Sequence, residues 1–391
     1  MAPLEPWEKV LIDLGSKDFV SELDWHLGAV GCDECHGGNP GEHDDVDAAH
    51  EGLIPDPSGI QHKACKNCHP QITADAEQSM HFQLWGEKKT LAMRSDSADF
   101  DSCPAALKEG YLGDCTACHA TCGDCHISQP DSVGKGFIKD HIFKKTPHQK
   151  NQCMACHGSR IAFDFMGDDE TGRLPDIHFL KGKNCMSCHT GSQLHAPQVF
   201  GADRYHLEGS TTCEGCHDVA DANAYHQVHW DDLSCQVCHS QEYNNCTACH
   251  VNNEWKEDPA YQENNPDVQF KIGLNPFEDR RFKFVTVRHA PVSPETYDPW
   301  EGVSDPLTDF DALPTWKYAT PHSIRRWTDR TEVENGASCG TSCHLGGDGG
   351  SPENAGWYLW KDYVDSNWPL EADANDGVVV DGMLPDGWFS E

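Results

Sequence analysis

A chain of 391 residues is long enough for two or three domains with ordinary apolar cores, yet only 37% of its residues are hydrophobic and its mean hydropathy is -0.64. A formal net charge of -35, from 64 acidic against 29 basic residues, turns the surface away from nucleic acid and anionic membranes. Few segments keep the 3.6 or 2 period of a layered core, so the 21 cysteines and 24 histidines point to bound groups in place of one.

The opening residues, Met1-Ala2-Pro3-Leu4-Glu5-Pro6, lack the basic and apolar parts of an export signal. From residue 32 a five-residue frame, C-x-x-C-H, recurs nine times. Its first copies are Cys32, Cys35 and His36; Cys65, Cys68 and His69; Cys115, Cys118 and His119; Cys122, Cys125 and His126; and Cys153, Cys156 and His157. Four more follow: Cys185, Cys188 and His189; Cys213, Cys216 and His217; Cys235, Cys238 and His239; Cys246, Cys249 and His250. One chemistry uses every residue of the frame, because two thiols add across the vinyl groups of a porphyrin and the histidine that follows binds its iron. Zinc or redox CxxC pairs are the competing source of such a pattern. They place no demand on the next position, where histidine would fall by chance roughly 6% of the time, so nine histidines in nine frames favour haem c.

In these frames the chain resembles the multihaem c-type cytochromes, over residues 32–250 and again at 339–344. The resemblance implies haem attachment outside the cytoplasm, iron held between two histidines, and haems packed closely enough for electron hopping. Cys339, Gly340, Thr341, Ser342, Cys343 and His344 form a tenth frame with one extra residue between the cysteines. Multihaem cytochromes tolerate such lengthened frames; a local disulfide beside an unrelated histidine is the alternative. The expected complement is about ten haem c groups. Cys103 stands outside every frame and admits three readings: a buried thiol, a disulfide partner, or the distant first cysteine of a long frame ending at Cys118 and His119.

Ten irons with ten frame histidines leave ten axial positions to fill, and fourteen histidines lie outside the frames. His26, His62, His148, His178 and His206 each precede a frame with two to six residues between, a short tether for reaching a neighbouring haem. His226 and His229, just before Cys235, resemble the paired distal histidines of the cytochrome c3 family. His81, in Ser79-Met80-His81, resembles a distal ligand of the tetrathionate-reductase type of octahaem cytochrome. His289 and His322 are the only histidines in the frameless stretch 251–338, and both are expected ligands; His50 and His195 complete the candidates. His43 and His141 have the weakest context.

Nine frames in residues 32–250 leave about 24 residues per haem, too little polypeptide to insulate one porphyrin from the next. The tandem at Cys115 to His126 predicts a closely packed pair, since the seven residues from His119 to His126 span at most about 25 Å, and the tandem at Cys235 to His250 predicts another. Two histidines per iron imply six-coordinate, low-spin centres of mostly negative potential. Residues 1–250 form a nine-haem region, and residues 251–391 a haem-poor region carrying distal ligands, the tenth haem and an acidic tail with Trp357, Trp360, Trp368 and Trp388. Those tryptophans suit packing over haem or a docking surface equally. Phe282 to Val287 predicts a short strand. The fold expected is that of a multihaem cytochrome: short α-helices and loops wrapped around a haem array, with low regular secondary structure and little β.

Three functions fit. The first is a soluble electron carrier or conduit, the second a subunit of an extracellular cytochrome filament, and the third a reductase of the tetrathionate, nitrite or hydroxylamine type. A reductase needs an iron position that is open or held by lysine or water; the C-x-x-C-K frame that marks one such site is absent, which favours electron transfer without catalysis. Expected partners are redox proteins with basic faces, identical subunits, metal ions or extracellular electron acceptors, and no nucleic acid. No stretch of 18 apolar residues predicts a transmembrane segment. Periplasm, cell surface and extracellular space are the expected locations, with a leader removed or omitted.

Overall fold

The computed structural model describes residues 31–59, 64–116, 120–130, 133–138, 141–169, 172–198, 204–207, 209–220, 222–241, 243–244, 267–268, 270–290, 292, 294, 296–298, 300, 302–332, 357–361 and 373–384. They form mostly short helices and loops with little sheet. The recurring local unit among the described frames is one helical turn. Cys32–His36, Cys122–His126 and Cys235–His239 are α-helices. In the frames at residues 65, 185 and 213 the histidine N–H donates to the carbonyl of the first cysteine, at 2.8, 2.8 and 2.9 Å, closing the same turn. With 3.6 residues per turn, the first cysteine and the histidine, four apart, share a face. Thr121 starts one such turn as a capping box: its hydroxyl accepts from the Asp124 N–H, and the Asp124 carboxylate accepts from the Thr121 N–H at 2.8 Å.

The chain divides into two compact units. Unit 1 comprises Met1–Leu84, Ala117–Cys156 and Thr190–Phe200; unit 2 comprises Trp85–Thr116, His157–His189 and Gly201–Glu391. In unit 1 the Pro70–Ala76 helix begins on proline, whose missing N–H costs nothing at a helix start. Its neighbour is the Gly191–His195 helix, capped by the Thr190 hydroxyl. The Met80–Gln83 turn stops at Leu84, which takes a left-handed φ of 51°. Among the described residues of unit 1, the buried apolar side chains are Ala76, Ile127 and Pro130.

The apolar clusters among the described residues all belong to unit 2. One joins the Trp85–Arg94 and Ala105–Asp114 helices through Leu91, Leu107, Tyr111, Trp300 and Phe310. Buried Arg94 fastens it by donating to the carbonyls of Phe310, Leu313 and Pro314 at 2.6, 3.0 and 3.2 Å. Strands β1 (Tyr243–Asn244) and β2 (Asp267–Val268) pair antiparallel. Strands β3 (Lys271–Leu274), β4 (Phe284–His289) and β5 (Trp316–Tyr318) form an antiparallel sheet in that order. Because side chains alternate along β4, Val285 and Val287 join Trp316 and Tyr318 against Leu359, Val378 and Val379. Ile272 packs with Val237, Tyr358 and Val380, and Trp357 and Trp360 of the tail cover that cluster.

The strand expected over 282–287 thus exists but runs two residues later and takes in His289. Phe282 belongs to the turn instead, where its carbonyl accepts from the Asn275 side chain at 2.8 Å. Among the described residues, no helix is long and apolar enough to cross a membrane.

Candidate metal centre

Frame histidines face histidines from outside the frames in five pairs. The pairs are His36 with His141, His126 with His195, His217 with His178, His189 with His322, and His239 with His226. Their ring centroids are 6.1, 6.0, 6.0, 6.4 and 6.1 Å apart. An imidazole nitrogen binds a transition metal at about 2 Å; adding half of each ring, two imidazoles trans on one ion place their centroids about 6 Å apart. The five spacings fit that requirement. Each pair supplies two imidazole donors, and among the described residues no three His, Cys, Asp or Glu side chains converge as a metal site of their own. The remaining donors would have to come from a ligand lying between the rings, as a porphyrin's four nitrogens do.

The rings are held in the tautomer that metal binding needs. His36 Nδ1 lies 2.8 Å from the Ile54 carbonyl, His126 Nδ1 2.6 Å from that of Lys144, and His239 Nδ1 3.1 Å from that of Arg325. A carbonyl only accepts, so the hydrogen sits on Nδ1 and Nε2 keeps its lone pair. On the opposing side, His195 and His226 donate in the same way to Gly191 and Val219, at 2.7 and 2.9 Å. His178 differs, with Nδ1 2.9 Å from the Asp176 carboxylate. Burial holds His126, His157 and His239 below the usual imidazole range. Burial, with His189 beside it, takes His322 down to about 4, so these rings are neutral at pH 7.

Thiols of different frames also meet. In unit 1 a hydrogen bond shared with Cys65, in which Cys122 keeps its proton, and then burial push Cys122 up. Cys35 is raised by burial and then by Cys65 and Cys68. Cys125 is pushed up to about 12 by burial, followed by Asp124, Cys153 and Cys156. In unit 2 a hydrogen bond links Cys213 to Cys235, so that Cys235 ionises first. Cys103 is a free thiol, buried in the apolar cluster with its sulfur 3.6 Å from the Ser95 hydroxyl.

The other candidates lie elsewhere. His206 Nε2 sits 3.2 Å from an Asp279 carboxylate oxygen, with the ring edge-on to Phe277. The Asn151 N–H donates to His148 Nδ1 at 3.3 Å, which puts that ring's hydrogen on Nε2. His50 and His229 hold Nδ1 on the carbonyls of Val46 and Tyr225, at 2.7 and 2.8 Å. His81 lies in the Met80–Gln83 turn, and its carbonyl accepts from Ala120. His289 is buried in β4, edge-on to Trp316 at 5.4 Å. His26, His62, Cys118, His119, Cys246, Cys249, His250, Cys339, Cys343, His344, Trp368 and Trp388 lie outside the described residues. Sequence reasoning passed over His141, which faces His36; no local motif marks it.

No family model matches the chain, and neither does any curated protein. Among solved structures, the octahaem cytochrome c from Shewanella oneidensis is similar over 59% of this chain and 60% of that one, with 18% identity and a TM-score of 0.31. The match thus spans three fifths of that protein's length.

Proposed function

We propose that this chain is a multihaem c-type cytochrome that conducts electrons through about ten bis-histidine haems, as a periplasmic or extracellular carrier. The observation that carries the reading is the set of five histidine pairs, each joining one frame histidine to one from elsewhere at the spacing of trans ligands on a single ion. Haem c, when bound, supplies a one-electron iron couple and the four equatorial donors that the pairs lack. The frame cysteines anchor that group by thioether bonds, and in the described frames the helical turn holds the histidine on the same face as the first cysteine. Carbonyls of Ile54, Lys144, Gly191, Val219 and Arg325 orient the rings. The scarcity of buried apolar side chains in the described part of unit 1 supports a core filled by prosthetic groups. Close contacts between thiols of different frames support closely spaced haems.

Covalent attachment of this kind takes place outside the cytoplasm, which is the basis for the location. The acidic surface favours basic docking faces on redox partners. An optical and magnetic spectrum of the purified protein tests the reading. A wholly low-spin haem spectrum is expected; a high-spin fraction would favour a reductase with an open iron, and fibres seen by electron microscopy would favour the filament. Absence of haem absorption would refute all three.

A further inference from the structure

Among the rings of the five pairs whose Nδ1 contacts are given above, five donate to a neutral carbonyl and one, His178, to a carboxylate. Asp176 is 2% exposed, and its position is fixed. One oxygen also accepts the His178 backbone N–H at 2.6 Å, and the other accepts the Ile324 N–H at 2.7 Å. The neighbouring cation Arg325 is engaged with the Pro175 carbonyl at 2.9 Å.

We propose that Asp176 makes the His178–His217 centre the lowest in potential of the five described pairs, by drawing the Nδ1 hydrogen of His178 and adding a fixed negative charge; this rests on the haem reading above. A charge-assisted hydrogen bond is about twice as strong as a neutral one. A carboxylate on the outer nitrogen raises the basicity of a ligating imidazole. A more basic ligand and a nearby anion both stabilise ferric over ferrous iron, so electrons reach this centre last and leave it first.

The test compares the full-length haem-loaded protein with Asp176→Asn, using intact mass and an optical redox titration. Asparagine keeps one acceptor oxygen and removes the charge. The haem count is expected to hold, while one component rises by at least tenfold in its ferrous-to-ferric ratio at fixed potential, about 59 mV for one electron. The other components should overlay those of the parent, and Asp176→Glu should restore the low value. In the native protein, infrared difference spectra across the most negative wave should contain a carboxylate band that moves on carbon-13 labelling of aspartate. An unchanged titration at full haem count, or no aspartate band at that wave, overturns the proposal. A native protein without haem would instead overturn the reading beneath it.

Discussion

The imidazoles of His126 and His195 lie parallel, 9° apart, whereas those of His36 and His141 cross at 74° over nearly the same distance. The angle between two axial ring planes sets how far the iron d orbitals split. Parallel planes give an ordinary rhombic low-spin resonance, and crossed planes give one with a very large maximum g value. Both kinds are expected in the frozen spectrum of the oxidised protein. His195→Ala should remove a rhombic signal, and His141→Ala should remove a large-g signal; the opposite assignment would show that the ring planes differ from those described.

His141 and His43 look equally unpromising in sequence, and the structure separates them. Replacing His141 with alanine deprives the His36 centre of its second imidazole. One haem in ten should become high-spin while the haem count is unchanged. His43→Ala should leave the spectrum as it was. Equal spectra for the two variants would contradict the His36–His141 pairing.

The frames are legible in sequence because the residues of each regular one fall within five positions. A histidine that faces a frame histidine is placed there by packing in space, and only some such positions leave a local trace. His322 stands out in sequence through the scarcity of histidines around it, and the structure sets its ring against His189. His206 and His148 attracted attention through their distance from a frame, yet Asp279 and Asn151 engage them. His141 is brought to His36 by tertiary packing, and nothing adjacent to it in sequence records that. The strand near Phe282 was legible in kind, while its start depended on an Asn275 side chain that claims the Phe282 carbonyl.

Away from the histidines, burial raises the Glu87 carboxyl above its usual range, although the Tyr111 hydroxyl donates to it at 3.3 Å. A raised folded value means that the unfolded chain ionises first. The stability this group contributes is therefore full below about pH 4.5 and lost as the pH rises through the folded value. Glu87→Gln should flatten that part of the stability curve. Denaturant melts of the haem-loaded protein at a series of pH values read it, and an equal slope in both proteins would contradict the burial described.

Gly110 lies against Trp300, whose indole donates to Asp114 at 2.6 Å. A β-carbon at position 110 would come within 2.2 Å of the ring. Gly110→Ala should therefore cost about 1–3 kcal/mol through overpacking, seen as a lowered melting temperature. Gly113, where a β-carbon meets nothing within 4 Å, is the control.

The most direct measurement is the intact mass of the protein purified from a host that attaches haem c. Ten haem additions to the polypeptide are expected, one for each of the nine regular frames and one for Cys339 to His344. A mass equal to that of the bare chain, or of the chain with zinc or disulfides in place of haem, would contradict the paired-histidine centres as haem sites.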